Sequence, residues 1–254
     1  MHAAALLCHA PIVVPAIGGA RASACATTTA AMRRVAQAVV ATQPPWLVVC
    51  SPHTPRHADR WGLVAGEVLT GSFARFGHPE LALTLPNAAS RAREALSEVP
   101  LEQVPSQPLD HGAMVPLWFL FEAGWRGPTA VLSVPWANRD AHAIGAALAR
   151  TDAALIASGD MSHRLIPGAP AGHHPRAQAF DDAFVAALRQ GDLRSATEPD
   201  PTLRELAAED VVDTTEVLRG ALGDRVPFDP VVAYEGPFGV GYCEALFLPE
   251  PARG

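Results

Sequence analysis

The chain has 254 residues, of which 49% are hydrophobic and 18% charged, enough for a sizeable core and too apolar for global disorder. A net charge of -7 argues against a nucleic-acid scaffold. All nineteen basic residues are arginine, which excludes Schiff-base, pyridoxal phosphate and P-loop lysine chemistry.

In chain order, Ala4–Leu7 reads as a strand and Thr27–Ala41 as an Ala-rich helix that stops before Pro44-Pro45. Trp46–Cys50 and Leu81–Leu85 are short apolar strands, and Asn87–Glu98 is an Ala- and Arg-rich helix. Val115–Glu122 reads as a helix, Ala130–Val134 as a strand, Arg139–Arg150 as a helix and Ala153–Ala157 as a strand. Pro175–Gln190 puts Phe180, Phe184, Val185 and Leu188 on one helical face and stops at Gly191. Leu203–Leu222 reads as one long helix, followed by strands Val231–Tyr234 and Gly241–Leu248. This alternation predicts an α/β sandwich with helices on both sheet faces, as a single domain over residues 1–254.

Cys8, Cys25, Cys50 and Cys243 stand singly, so there is no CxxC motif and no disulfide framework. No basic leader is visible and no apolar run reaches the ~18 residues of a spanning helix, so a cytoplasmic protein with no membrane partner is expected. No Gly-x-Ser-x-Gly elbow supports a serine hydrolase, and Gly18-Gly19 lacks the other glycines of a dinucleotide loop.

Ten histidines carry the most chemistry. Ligands of α/β folds sit where loops leave strand ends. His9, His53 and His163 each follow a predicted strand, and His111 stands at a loop-to-helix junction. His57, His78, His142, His173 and His174 have no such placement. Two imidazoles and a carboxylate on one side of a metal leave positions open for Fe(II) and O2 chemistry, and His9 and His53 form the natural pair. On one long helix, Glu205, Glu209, Asp213 and Glu216 would share a face and offer the carboxylate.

Five segments occur in order: Leu7-Cys8-His9-Ala10-Pro11; Ser51-Pro52-His53; Asp110-His111-Gly112; Ser158-Gly159-Asp160-Met161-Ser162-His163; and Tyr234-Glu235-Gly236-Pro237-Phe238-Gly239. Together they resemble the class III extradiol dioxygenase superfamily, in its LigB-like catalytic (β) subunit, close to the AmmeMemoRadiSam and Memo-like subgroup. The resemblance runs from residue 5 to about residue 248. It implies a central, largely mixed sheet flanked by helices on both faces. The implied activity is Fe(II)-dependent extradiol ring cleavage, with O2 inserted into a catechol-type or other small phenolic substrate. Zn, Mn or Cu are alternative metals, and a homodimer fits the superfamily. The other reading is a Memo-like protein that binds a metal or metabolite in the same pocket without dioxygenase activity, which Cys8 beside His9 would favour as a soft ligand.

By the same resemblance, His9 and His53 are metal ligands, His163 is the acid/base histidine and His111 contacts substrate or oxygen. Matching Ala207-Ala208-Glu209-Asp210 before Gly220-Ala221-Leu222 points to Glu209 as the third ligand. A shorter family spacing points near Val211, with Asp210 and Asp213 as neighbours. Asp160 and Asp110 could orient the imidazoles. Trp118, Trp136 and Phe238 are candidates for the pocket mouth, and Arg56, Arg60 or Arg164 for meeting a substrate carboxylate.

Overall fold

The computed structural model describes residues 1–248. Its strands are β1 (Ala3–Leu7), β2 (Trp46–Ser51), β3 (Trp61–Val64), β4 (Val68–Phe73), β5 (His78–Pro86), β6 (Leu101–Val104), β7 (Thr129–Ser133), β8 (Ala153–Ser158), β9 (Val231–Glu235) and β10 (Tyr242–Phe247). The helices are α1 (Pro15–Gly18), α2 (Ala26–Ala41), α3 (Ala89–Ala95), α4 (His111–Glu122), α5 (Ala141–Ala149), α6 (Ala177–Arg189), α7 (Leu193–Thr197), α8 (Pro201–Ala207) and α9 (Val212–Leu222).

Eight strands form one sheet in the order β6-β3-β7-β2-β8-β1-β10-β9. The central four, β7, β2, β8 and β1, run parallel. β3 pairs antiparallel with β7 at one side, and β10 pairs antiparallel with β1 at the other, so the sheet is mixed. The central strands are apolar at nearly every position because both of their faces are covered. Alternate residues feed two cores. Ala4, Leu6, Val48, Cys50, Leu155 and Ala157 face the layer containing α5, α6 and α9. Ala5, Leu7, Leu47, Val49, Ala154 and Ile156 face the layer containing α2 and α4. On α6, Phe180, Phe184 and Leu188 are buried on the predicted face, each contributing roughly 2–3 kcal/mol of hydrophobic stabilisation.

Two expectations change, and three strands had no counterpart in the sequence. Leu81–Leu85 lies in β5, which pairs with β4 as a separate two-stranded hairpin outside the main sheet. β3, β4 and β6 carry no apolar run long enough to stand out in sequence. The helix expected over Leu203–Leu222 is two helices, broken at Ala208, whose φ of 54° is left-handed. Local propensity does not break it, since Ala-Ala-Glu is helix-forming. A tertiary contact does: the Ala207 carbonyl accepts hydrogen bonds from His163 N at 2.9 Å and Ser162 Oγ at 3.2 Å. The shared acidic face therefore does not exist.

α5 and α9 cross at backbone contact. A methyl group built on Gly145 would lie 2.0 Å from Val217 O, and one on Gly220 would lie 2.2 Å from His142 O. Gly145→Ala is expected to destabilise the fold by about 3 kcal/mol, read as a lower urea midpoint, because backbone on both helices must move apart.

Candidate metal and substrate site

The register of the parallel strands builds the site. Leu7 is level with Ser158, and Cys50 with Ala157. His9, Asp160 and His53, each two residues beyond its strand, therefore emerge side by side at one sheet edge, with β8 between β1 and β2. His9 Nε2 and His53 Nε2 are 3.0 Å apart.

The break between α8 and α9 supplies the carboxylate. Asp210 Oδ2 lies 3.4 Å from His9 Nε2 and 3.2 Å from His53 Nε2. Its other oxygen accepts Asp160 N–H at 2.7 Å, and Asp210 N–H donates back to Asp160 O at 3.2 Å. This turn docks only because residue 159 is glycine: a Cβ there would lie 2.5 Å from Val211 Cα. Three donors held about 2.1 Å from one ion stand about 3.0 Å apart in octahedral and about 3.4 Å apart in tetrahedral geometry. Edges of 3.0, 3.2 and 3.4 Å therefore fit a single metal ion. His9, His53 and His111 form a second, looser set, with ligand atoms within 4.8 Å of one another.

Glu209 lies outside both sets. Its Oε1 accepts Arg204 Nε–H at 2.6 Å and its Oε2 accepts Val212 N–H at 2.7 Å, at the first turn of α9. Both oxygens are thus committed on the far side of the turn. Asp213 also faces arginines, 2.9 Å from Arg204 and 4.0 Å from Arg56. Asp110 caps α4 through Ala113 N–H and accepts the hydroxyls of Ser51 and Thr54, so it braces the β2 loop and bonds no imidazole. Asp160 accepts His9 N–H at 2.9 Å, holding the backbone of His9, while its second oxygen lies 3.7 Å from His9 Nε2.

Ser158 carries a role absent from the sequence reading. Its hydroxyl donates to Gly112 O at 2.5 Å, so it meets His9 Nδ1, 3.0 Å away, as an acceptor. His9 therefore keeps a proton on Nδ1, and Nε2 is the nitrogen that can give up its proton and face a metal. A serine at the last position of a strand is the only sequence signal for this.

Burial opposes charge on His9, but the Asp160 and Asp210 carboxylates outweigh it and push its pKa up to about 9. Burial is opposed at Asp210 by His9 and His53, which hold that carboxyl far below the usual range. Burial, then the His53 and His9 charges, push His111 down to about 4, so it is neutral. His111 lies against His53, with ring centroids 4.2 Å apart.

His163 is held by its backbone N–H on Ala207 O, and its Nδ1 is buried with no partner among the described residues. The preceding Ser162 is strapped by Asp181, whose Oδ1 accepts Ser162 N–H at 2.9 Å and whose Oδ2 accepts the Tyr234 hydroxyl at 2.8 Å. Cys8 turns its thiol toward Met32 Sδ at 3.9 Å, and burial pushes its pKa well up, so no thiolate stands at the site.

A cleft of about 570 Å³ opens over His53 and His111. Its aromatic wall is Phe73 and Phe76, from the β4–β5 hairpin, with the Phe76 ring 6.1 Å from His111. The three aromatics expected at the mouth lie elsewhere. Trp118 packs behind Phe73, Trp136 is 71% exposed beneath Arg56, and Phe238 lies near Arg21. Among the described residues, no helix is long and apolar enough to cross a membrane.

Residues 3–244 match the family described as the catalytic LigB subunit of aromatic ring-opening dioxygenase. Protein CA_C1420 of Clostridium acetobutylicum is 26% identical over 260 residues, covering 93% of this chain; the chain spans 55% of that relative's length. The crystal structure of uncharacterized protein JW3007 from Escherichia coli K12 superposes with a TM-score of 0.63 at 17% identity, covering 97% of this chain and 100% of that one, a likeness of fold.

Proposed function

The chain belongs to the family of the catalytic LigB subunit of aromatic ring-opening dioxygenase, and from that premise we propose that it is a non-haem Fe(II) enzyme that opens the ring of a catechol-type or other small phenolic substrate with O2. The observation that carries the proposal is the triangle of His9 Nε2, His53 Nε2 and Asp210 Oδ2, with edges of 3.0, 3.2 and 3.4 Å. Asp210, not Glu209, is the third ligand in this reading, because a free carboxylate oxygen faces both imidazoles. Two neutral nitrogens and one carboxylate on one face suit ferrous iron with open positions. Bound there, iron would supply Lewis acidity for the two catechol oxygens and electron exchange with dioxygen.

The chain's own residues would do the rest. His111 is neutral and lines the cleft, so it can donate a hydrogen bond to a phenolic or oxygen anion without bringing a net charge. His163 would accept the second phenolic proton and later return it. Asp181 and Ala207 would hold that imidazole's backbone still while it does so.

Ser158→Ala is expected to weaken metal binding about 10–100-fold, because His9 loses the acceptor that fixes its tautomer. Metal titration of both proteins checks this, and equal affinities would refute the role given to Ser158.

For the activity itself, protein loaded anaerobically with one Fe(II) per chain is mixed with a panel of catechols and then with oxygenated buffer. Oxygen uptake matched by absorbance from a ring-opened product is the expected result. Iron held at one per chain, with no oxygen uptake across the panel, would overturn the proposal in favour of a binding protein.

A further inference from the structure

We propose that Asp181 is a positioning residue for the acid/base histidine, and that its ionised carboxylate is the form that holds His163 in place to exchange protons with substrate; this rests on the role given to His163 above. Asp181 belongs to α6 and is fully buried. It reaches the segment that carries Asp160 and His163 through one backbone bond, from Ser162 N–H to Oδ1 at 2.9 Å.

Asp181 stands apart among the acceptors of that segment. From Gly159 to Arg164 every backbone N–H is bonded. Gly159 donates to Leu7 O, Met161 to Gly241 O and His163 to Ala207 O, while Arg164 donates to Ser162 Oγ. Asp160 donates to Asp210, whose carboxyl is held far below the usual range. Ser162 is left as the one donor whose acceptor changes charge near neutral pH. Burial pushes Asp181 up to about 7, against the Ser162 and Tyr234 hydrogen bonds that favour its charged form. Tyr234, from β9, donates its hydroxyl to Oδ2 at 2.8 Å and accepts Gln178 Nε2–H at 3.0 Å. The other groups bearing on Asp181 are acidic: Asp182 on α6, Glu209 at the α8–α9 turn and the Cys243 thiol on β10. Asp181 enters no ion pair among the described residues.

Ionised, Asp181 offers one oxygen to each donor, and its bond to Ser162 is charge-assisted, roughly twice as strong as a neutral one. Protonated, the carboxyl carries a hydrogen of its own. On Oδ2 that hydrogen forces the Tyr234 hydroxyl to turn away, and on Oδ1 it leaves Ser162 N–H without an acceptor. Either way the strap slackens one residue before His163, whose N–H shares the Ala207 carbonyl with Ser162 Oγ.

The test has two readouts, and the first needs neither metal nor turnover. The Ser162 amide of isotope-labelled, metal-free protein is followed by NMR across neutral pH. Its proton is expected to move downfield as pH rises, with a midpoint of about 7. Asp181→Asn, which keeps the size and one acceptor, should abolish the movement. Tyr234→Phe should raise the midpoint by about one pH unit, the worth of one hydrogen bond to a charged acceptor. At saturating Fe(II), kcat for ring opening should fall about tenfold on the acid side of that midpoint at unchanged KM, a part of what a positioned acid/base supplies. Asp181→Asn should stay at the low value throughout, and Tyr234→Phe should carry its raised midpoint into the rate. A Ser162 amide that does not titrate, or that titrates equally in Asp181→Asn, overturns the inference, as does a rate profile that Asp181→Asn leaves unchanged. If Ser162 titrates as expected and the iron-loaded wild type opens no ring, the ionising strap stands and the ring-opening reading falls.

Discussion

Asp210→Ala should leave a folded chain that no longer retains iron, while Glu209→Gln should keep iron and lose stability. The two acids are adjacent, yet the turn between α8 and α9 sends them in opposite directions. Asp210 stands 3.2 and 3.4 Å from the two imidazole nitrogens, with its second oxygen fixed by Asp160 N–H. Removing it deletes the only anionic corner of the triangle and leaves two imidazoles, His9 and His53. Loss of an outer partner alone costs 10–100-fold in metal affinity, so loss of this carboxylate should exceed about a hundredfold and take ring opening below detection. Glu209 is buried and bonds Arg204 and the first turn of α9. The Arg204 side chain is 38% exposed and keeps Asp213, so the neutral amide should cost only about 1–3 kcal/mol. Iron content after desalting and thermal denaturation read the two effects separately. Iron kept by Asp210→Ala and lost by Glu209→Gln would return the ligand role to Glu209.

Why the residue one position away was the one expected bears on how much of the site is written locally. His9, His53 and the Ser158–His163 segment stand out because each closes a strand whose apolar run is unmistakable, and parallel strands bring such ends to one edge. The sheet core was legible for the same reason, since strands buried on both faces are continuously apolar. β3, β4 and β6 were not, because they are four to six residues long and polar or interrupted by glycine. Asp210 depends on something no local pattern encodes, the capture of the Ala207 carbonyl by His163 N–H and Ser162 Oγ. Without that contact Ala207-Ala208-Glu209-Asp210 would continue as helix, and Glu209 would share a face with Glu205 and Asp213. The cleft wall was hidden likewise. Phe76 and Arg75 sit in a turn of the β4–β5 hairpin, and only the folded chain brings that turn over His111.

Metal binding should tighten about a hundredfold between pH 6.5 and 8.5, with close to one proton released per ion bound at pH 7. The metal-free site is already closed by a proton. His9 is pushed up to about 9 against its burial by Asp160 and Asp210, and keeps its other proton on Nδ1 against Ser158. The exchangeable proton therefore sits on Nε2, between His53 Nε2 and Asp210 Oδ2, where the ion would go. A ligand nitrogen must be neutral, so below pH 9 each pH unit is worth about a factor of ten in apparent affinity. The other groups facing this point do not offset the trend. His111 is held down to about 4, and Asp210 stays ionised throughout because His9 and His53 depress it. Burial raises Asp160, and ionisation of that carboxyl with rising pH only adds negative charge beside the site. Stability carries the same signature with the opposite slope. A histidine raised from 6.5 to about 9 on folding contributes stability that is complete below pH 6.5 and lost as pH rises through 9, about 3 kcal/mol in all. The metal-free chain should therefore soften between pH 7 and 9, while the loaded chain, whose His9 is already neutral, should not. Calorimetric metal titrations in buffers of different ionisation enthalpy count the proton, and urea midpoints of both forms across that range give the slopes. A pH-independent affinity with no proton released would mean that Nε2 of His9 is not the atom the ion occupies.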